Sequence, residues 1–302
     1  MRRRSFVIGT GSMLLAGKTT VSFADNRSLI TRPIPSSGEN LPVMGMGSSR
    51  TFDVPINENN LATLGEVMSR FIAGGGSLVD TSPMYGAAEA VLGEVISRLP
   101  KQPALFAATK VWADGEEEGI RQMRNSSKLM RIPVFDLMQI HNLRDWKVQL
   151  PTLKRWKEEG RIRYLGITTS HQRNHAGMEE VMKSEPLDFV QFSYNIIDRQ
   201  AEQRLLPLAA DRGIATLINR PFQRGKLFDK VGGKPLPSLA MELGCESWAQ
   251  FFLKFIIGHP AVTCLIPATA KVHHMEDNMG ANFGIVPDAG IREEMVKLFQ
   301  SL

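Results

Sequence analysis

The sequence predicts an α/β fold, a single (β/α)8 TIM barrel, on three observations. Short apolar runs alternate with longer amphipathic segments, the rhythm of βα units building a parallel sheet. The runs number eight, the count that closes such a barrel. The chain has 302 residues, 43% of them hydrophobic, which suits one sizeable core, and α/β barrels of this length fold as one domain.

In chain order, residues through Pro42 are rich in turn formers (Pro33, Pro35, Ser36, Ser37, Gly38), so order is expected to begin near Val43. The eight strand candidates are 43–46, 78–79, 105–108, 137–140, 164–167, 189–192, 215–218 and 264–266. Between the first two, Leu61, Leu64, Val67, Met68 and Phe71 keep an apolar stripe at helical spacing. Ala73-Gly74-Gly75-Gly76 then stops that helix. The segment 225–237, rich in glycine, proline and lysine, is expected to be a long loop at the barrel mouth. No repeated spelling accompanies the eightfold rhythm.

The first residues have the layout of a secretory signal: a basic head Arg2-Arg3-Arg4, a weakly apolar middle through Leu14, Leu15 and Ala16, and small residues before Ala24. Arg3-Arg4-Ser5-Phe6 resembles the twin-arginine signal, whose pathway exports folded proteins. The expected organisation is therefore a signal peptide over 1–24, an irregular segment over 25–42 and the barrel over 43–302. The chain is expected to meet the twin-arginine export machinery, to be periplasmic or otherwise exported, and to have no stable membrane insertion after cleavage. Arg2, Arg3, Arg4 and Lys18 leave with the signal, which takes the formal charge from +5 to +1. A nearly neutral body offers no electrostatic ground for a nucleic-acid partner. Two cysteines could bridge in an oxidising compartment, but Cys264 lies in the apolar run Ala261-Val262-Thr263-Cys264-Leu265-Ile266, which favours two unpaired core thiols.

Chemistry concentrates at the ends of consecutive strands. Asp80 and Tyr85 follow the second, Lys110 closes the third and His141 closes the fourth. In a (β/α) barrel those C-terminal ends converge on one mouth, so the four are expected to face one another. Tyr85 is a proton donor to a carbonyl oxygen, but a free phenol has a pKa near ~10 and exchanges its proton sluggishly at neutral pH. Lys110 is expected to lower that pKa, with Asp80 holding the ammonium and His141 orienting the substrate oxygen. No side chain supplies two electrons, so a nicotinamide cofactor is implied.

Asp80-Thr81-Ser82-Pro83-Met84-Tyr85-Gly86, with Glu89, Gly93 and Glu94 beyond it, resembles the Asp-Thr-Ala-x-x-Tyr-Gly motif of the aldo-keto reductases. Lys110 in Ala108-Thr109-Lys110 and His141 after Asp136-Leu137-Met138-Gln139-Ile140 fall where that family has its lysine and histidine. The resemblance runs from about Pro42 to the C-terminus. It implies a tetrad with Tyr85 as acid/base, Lys110 and Asp80 tuning it and His141 orienting the carbonyl. It also implies NADP(H) bound without a Rossmann domain. Gly47, Ser48, Ser49 and Arg50 would then border the nicotinamide ribose, and Thr168, Thr169 and Gln191 the carboxamide. The loop from Arg220 through Phe222 and Arg224 would follow the pyrophosphate, with Thr269, Lys271, His274 and Asn278 near the adenosine.

The chain also departs from the family. Thr168-Thr169 replaces Ser-Asn, and Asn219 stands where many members stack an aromatic ring on the nicotinamide; Tyr194 is a candidate substitute. Ala268 and His274 stand where members often carry Lys and Arg, which leaves NAD(H) open beside NADP(H), with Lys271 as a compensating charge. His273 and His274 diverge around a helix axis without accompanying carboxylates, so no metal is assigned. The expected function is hydride transfer between NADP(H) and a small-molecule carbonyl or alcohol. The alternative is a nucleotide-binding sensor or subunit with incidental turnover.

Overall fold

The computed structural model describes residues 28–99, 104–171 and 173–302; the expected signal over 1–24 lies outside them. Order begins earlier than the turn formers suggested. Strands β1 (Thr31–Pro33) and β2 (Asn40–Pro42) form an antiparallel hairpin, and its turn uses Gly38 at φ +76°. Ile34 and Leu41 are buried from this hairpin against Leu78, Phe106, Tyr164 and Phe189, which stand at or near the starts of their strands. The hairpin therefore plugs the end of the barrel opposite the C-terminal ends of the strands. Tyr164 Oη holds it by donating to Glu39 Oε2 and accepting from the Ser37 hydroxyl, both at 2.7 Å, and Arg163 pairs with Glu39 and Asp136.

Eight parallel strands follow in sequence order: β3 (Met46–Gly47), β4 (Leu78–Asp80), β5 (Phe106–Val111), β6 (Phe135–Ile140), β7 (Ile162–Thr168), β8 (Phe189–Ser193), β9 (Ala215–Asn219) and β10 (Cys264–Leu265). The ring closes through the residues leading into β3. Met44 bridges Leu265, Gly45 N–H donates to the Leu265 carbonyl at 2.8 Å, and Leu265 N–H donates to that of Val43 at 2.9 Å. Every expected strand is present, and no end differs from expectation by more than three residues.

The helix expected after the first strand spans Glu58–Ala73 and buries Leu61, Leu64, Val67, Met68 and Phe71. Asn57 caps it by accepting from Asn60 N–H at 3.0 Å. The segment 225–237 is not simply a loop, because Lys226–Val231 forms a helix that buries Leu227 and Val231. Phe228 anchors it against Phe222 and Phe252, with ring centroids 5.1 and 5.8 Å apart. Leu227, Phe228 and Val231 make a short apolar stripe that the surrounding glycines and lysines obscured. Cys245 and Cys264 are both buried and unpaired.

Helix Ala88–Ser97 packs so closely on helix Glu116–Met130 that a Cβ on Gly93 would lie 2.0 Å from the Leu129 carbonyl oxygen. A backbone oxygen cannot rotate away as a side chain can. Gly93→Ala is therefore expected to destabilise the fold by about 1–3 kcal/mol or more through overpacking, read as a lowered urea midpoint; an unchanged midpoint would show that the helices separate freely.

Candidate active site

Parallel register sets the site. β4 ends on Asp80, β5 carries Lys110 opposite Gln139 of β6, and β7 ends with Thr168 opposite Gln191 of β8. Alternation along β6 puts Leu137, Gln139 and the following His141 on one face. The predicted four residues do converge. Lys110 is fully buried and donates to Asp80 Oδ2 at 2.5 Å and to the Thr81 carbonyl at 2.8 Å. The other Asp80 oxygen, Oδ1, accepts from Gln139 at 2.9 Å and Gln191 at 3.0 Å. Burial alone disfavours the ammonium, but the Asp80 carboxylate and the nearby Tyr85 outweigh it and hold Lys110 above the ordinary lysine value.

Lys110 Nζ lies 5.2 Å from the Tyr85 ring centroid, and the Tyr85 ring meets His141 edge-on at 5.7 Å. Lys110 does pull the phenol pKa down, as expected, but it is not the larger influence. Burial raises it, and the pull of Lys110 does not reverse the rise, so Tyr85 is protonated at neutral pH and ready to donate. Ser82 Oγ accepts from Met84 N–H at 3.2 Å and lies 2.9 Å from His141 Nδ1. With the Ser82 hydroxyl donating to Nδ1, the ring proton stands on Nε2, the tautomer that leaves the second ring nitrogen a donor.

Burial, with the Lys110 charge, depresses the His141 pKa to about 3. The imidazole is therefore a neutral donor. An unfolded histidine titrates near 6.5, so between these values the unfolded chain binds the proton more readily. Stability is present above pH ~6.5 and declines as pH falls toward 3, by on the order of 5 kcal/mol from this residue. His141→Gln is expected to flatten the acid side of a plot of urea midpoint against pH; an unaltered slope would contradict the burial argument.

The rest of the family-like motif has structural work. Glu89 accepts from Thr109 at 2.6 Å and Ser126 at 3.0 Å, which joins β5 to the helix behind it, and burial raises its pKa. Glu94 pairs with Arg131.

A cavity of about 1210 Å³ opens over this group, larger than the ~300–1,000 Å³ of a common small-molecule pocket. Asp80, Tyr85 and His141 line it, while Lys110 stands behind its wall. Of the residues matched to cofactor contacts, Gly47, Ser48, Ser49, Arg50, Thr168, Thr169, Gln191, Asn219, Arg220, Phe222, Arg224, Thr269, His274 and Asn278 line it too. Lys271 does not. Its backbone N–H donates to Thr269 Oγ1 at 3.1 Å where helix Val272–Gly280 begins, and its side chain is exposed. Tyr194 is also outside the cavity, buried against Phe255 with its hydroxyl joined to Glu202 and Arg292. It therefore supplies no ring to the site. Asn219 instead braces the floor, donating to the Thr169 carbonyl at 2.9 Å and to Gln191 Oε1 at 3.3 Å, and accepting from Ser193 at 2.7 Å.

Sequence reasoning left out Ser82, Gln139 and Ser193. The last two carried a signal, since each lies two residues along a strand from a predicted site residue and so shares its face. Two buried hydroxyls in the lining, Ser48 Oγ and Thr51 Oγ1, have no partner. Unmet hydrogen-bonding groups in so large a cavity fit a polar ligand such as a dinucleotide. Among the described residues, no group of three or more His, Cys, Asp or Glu is placed to hold a metal ion.

The aldo/keto reductase family model matches residues 43–289. Over 174 residues the chain is 27% identical to aldo-keto reductase YhdN of Bacillus subtilis, covering 51% of this chain and 50% of that protein. Over 185 residues it is 26% identical to an NADH-specific methylglyoxal reductase of Escherichia coli, covering 50% of this chain and 54% of the relative. The matches thus span about half the length of these curated relatives. Among solved structures, the thermostable aldo-keto reductase Tm1743 bound to epalrestat superposes with a TM-score of 0.74 at 23% identity, over 89% of this chain and 100% of that one. An aldo-keto reductase from Klebsiella pneumoniae in complex with NADPH gives 0.73 at 20% identity, over 90% and 96%. The structural likeness shows the same barrel, and the family match over 43–289, joined to the converged Asp80, Tyr85, Lys110 and His141, makes this chain a member of the aldo/keto reductase family.

Proposed function

We propose that the protein reduces an aldehyde or ketone with a nicotinamide cofactor. The observation that carries this reading is the convergence of a protonated Tyr85, the buried Lys110–Asp80 pair and a neutral His141 on one wall of the cavity. A bound nicotinamide would supply the hydride to the carbonyl carbon. Tyr85 and His141 Nε2–H then serve the carbonyl oxygen, His141 as a fixed donor and Tyr85 as the group that gives up its proton. Lys110 stabilises the phenolate left behind, and Asp80 keeps the ammonium in place. Ser48 and Thr51 offer hydrogen bonds to the cofactor, with Thr269, His274 and Asn278 toward its adenosine end. This lining does not single out NADP(H) over NAD(H). Lys271 is outside the lining, and the relatives include an NADH-specific enzyme and a protein solved with NADPH. Loss of NADPH or NADH absorbance against a panel of aldehydes and ketones tests the reading. Tight nucleotide binding with no turnover of any carbonyl would overturn it in favour of a nucleotide-binding subunit.

We also propose that the chain is exported folded through the twin-arginine pathway, with cleavage near Ala24. Folding around the nucleotide before export would suit a compartment poor in free cofactor. Support comes from Arg3-Arg4-Ser5-Phe6 and the small residues before Ala24. Protein recovered from the exported fraction should carry nucleotide and should stay inside the cell when Arg3 and Arg4 are both changed to Lys; export of that variant would refute the proposal.

A further inference from the structure

Tyr85 stands on the turn between β4 and helix Ala88–Ser97, and most of what holds that turn lies within it. Ser82 Oγ accepts from Met84 N–H at 3.2 Å, and the Ser82 carbonyl accepts from Tyr85 N–H at 3.0 Å. Ala88 N–H then donates to the Tyr85 carbonyl at 3.1 Å. Ahead of Tyr85, the Ser82 hydroxyl ties the turn to His141. Beyond Tyr85 and before Glu89, one hydrogen bond from another element fixes the chain among the described residues. Asp53 Oδ1 accepts from Ala87 N–H at 2.9 Å.

Both partners of this contact are shaped for it. Gly86 turns at φ +57°, and a Cβ there would lie 2.1 Å from Asp53 Oδ1, so the close seat of the carboxylate requires glycine. Ala87 is the cap position of helix Ala88–Ser97 and has no side-chain acceptor, so Asp53 satisfies a helix-start N–H from 34 residues away. On its own side, Asp53 follows the fully buried Phe52. Thr51 and Phe52 N–H both donate to the Ser48 carbonyl, at 3.2 and 3.1 Å, and Ser48 N–H donates to the Asp80 carbonyl at 3.0 Å. The loop that presents Asp53 therefore hangs from the residue at which the Tyr85 turn begins, and the Asp53–Ala87 contact closes the ring. Asp53 and Tyr85 line the same cavity.

We propose that Asp53 is a positioning residue for Tyr85, holding the Gly86-Ala87 end of its turn so that the phenol meets the carbonyl oxygen. The proposal rests on the reductase reading and adds a residue to it. Without this tether the turn is held from the Ser82 side alone, and Tyr85 gains freedom about the glycine that follows it. Proton donation needs heavy-atom approach to ~3 Å, and a displacement of ~1 Å costs a reaction as much as ~10²-fold.

The test is the single-turnover rate of NADPH or NADH oxidation with the best aldehyde of the panel at saturation, where product release does not mask the chemistry. Asp53→Ala should lower that rate by about tenfold or more, with KM and nucleotide affinity within about threefold of wild type. Asp53→Asn keeps an oxygen that accepts from Ala87 N–H and should restore the rate to within about threefold. In a Tyr85→Phe background Asp53→Ala should cost nothing further, since the hydroxyl it positions is gone. An unchanged rate in Asp53→Ala, an equal loss in both backgrounds, a loss that Asp53→Asn does not relieve, or a loss confined to KM would overturn the proposal. A second readout needs no turnover. The chain has three tyrosines, so labelling with fluorotyrosine gives three fluorine resonances, and Tyr85→Phe identifies one by removing it. Asp53→Ala should shift or broaden that resonance, and Asp53→Asn should return it; a resonance unmoved by Asp53→Ala rejects the positioning role. If no carbonyl is turned over, the reductase reading fails by itself, and the fluorine spectrum still decides whether Asp53 fixes Tyr85.

Discussion

Tyr85→Phe is expected to lower kcat/KM for carbonyl reduction by about 10²–10⁴, the usual worth of one positioned general acid. The substitution removes only an oxygen and leaves the ring that packs edge-on against His141 at 5.7 Å. No other proton donor replaces it from behind, because Lys110 is fully buried and committed to Asp80 and the Thr81 carbonyl. The pH dependence has a definite sign. The acid form of Tyr85 is the working form in reduction, and its pKa is raised above the ordinary value of 10.0. The rate should therefore stay level through neutral pH and fall only in strong alkali. Steady-state kinetics beside a nucleotide-binding titration separate lost chemistry from lost fold. Turnover within about threefold of wild type would remove Tyr85 from the mechanism.

Asp80→Asn is expected to destabilise the protein by about 3–5 kcal/mol, because it leaves the Lys110 ammonium buried without its counter-charge. Lys110 and Asp80 have side-chain exposures of 0% and 3%, so solvent cannot compensate. Asp80 also accepts from Gln139 and Gln191, and an amide in its place offers one acceptor where two donors and an ammonium now converge. The double variant Asp80→Asn/Lys110→Met should recover part of the loss, since it removes the stranded charge. Urea unfolding of the two single variants and the double variant reads the coupling. Purely additive losses would mean that the pair is not coupled. Activity should be low in all three, which distinguishes a pair needed for both fold and chemistry from one needed for stability alone.

The parts of the site that could be read from the chain are those where a local pattern repeats a local geometry. Eight apolar runs mark eight strands because a barrel strand must bury both faces. Polar residues ending those runs mark the mouth because parallel strands expose the same end on the same side. Asp80, Lys110 and His141 were legible for that reason, and Tyr85 by its fixed distance from Asp80. Gln139 and Ser193 were legible in principle from strand alternation. Ser82 was hidden inside a motif whose other letters drew the chemistry. The hairpin over Thr31–Pro42 and the helix Lys226–Val231 were missed because their prolines, glycines and lysines suggest loops. What orders them is contact with distant residues: Ile34 and Leu41 against the barrel floor, Phe228 against Phe222 and Phe252.

The sequence by itself determined the fold class and the identity of the four candidate site residues, since periodicity and side-chain chemistry are local properties. Only the tertiary structure decided the protonation states and the partners. Tyr85 is raised and His141 lowered by burial, which depends on everything packed around them. Tyr194 and Lys271 are excluded from the cavity, while Arg50, Arg173, Arg220 and Arg224 are drawn together from loops far apart in the chain. Electric fields and solvent exclusion act through space, so their outcome is set by which loops the closed barrel brings to one mouth.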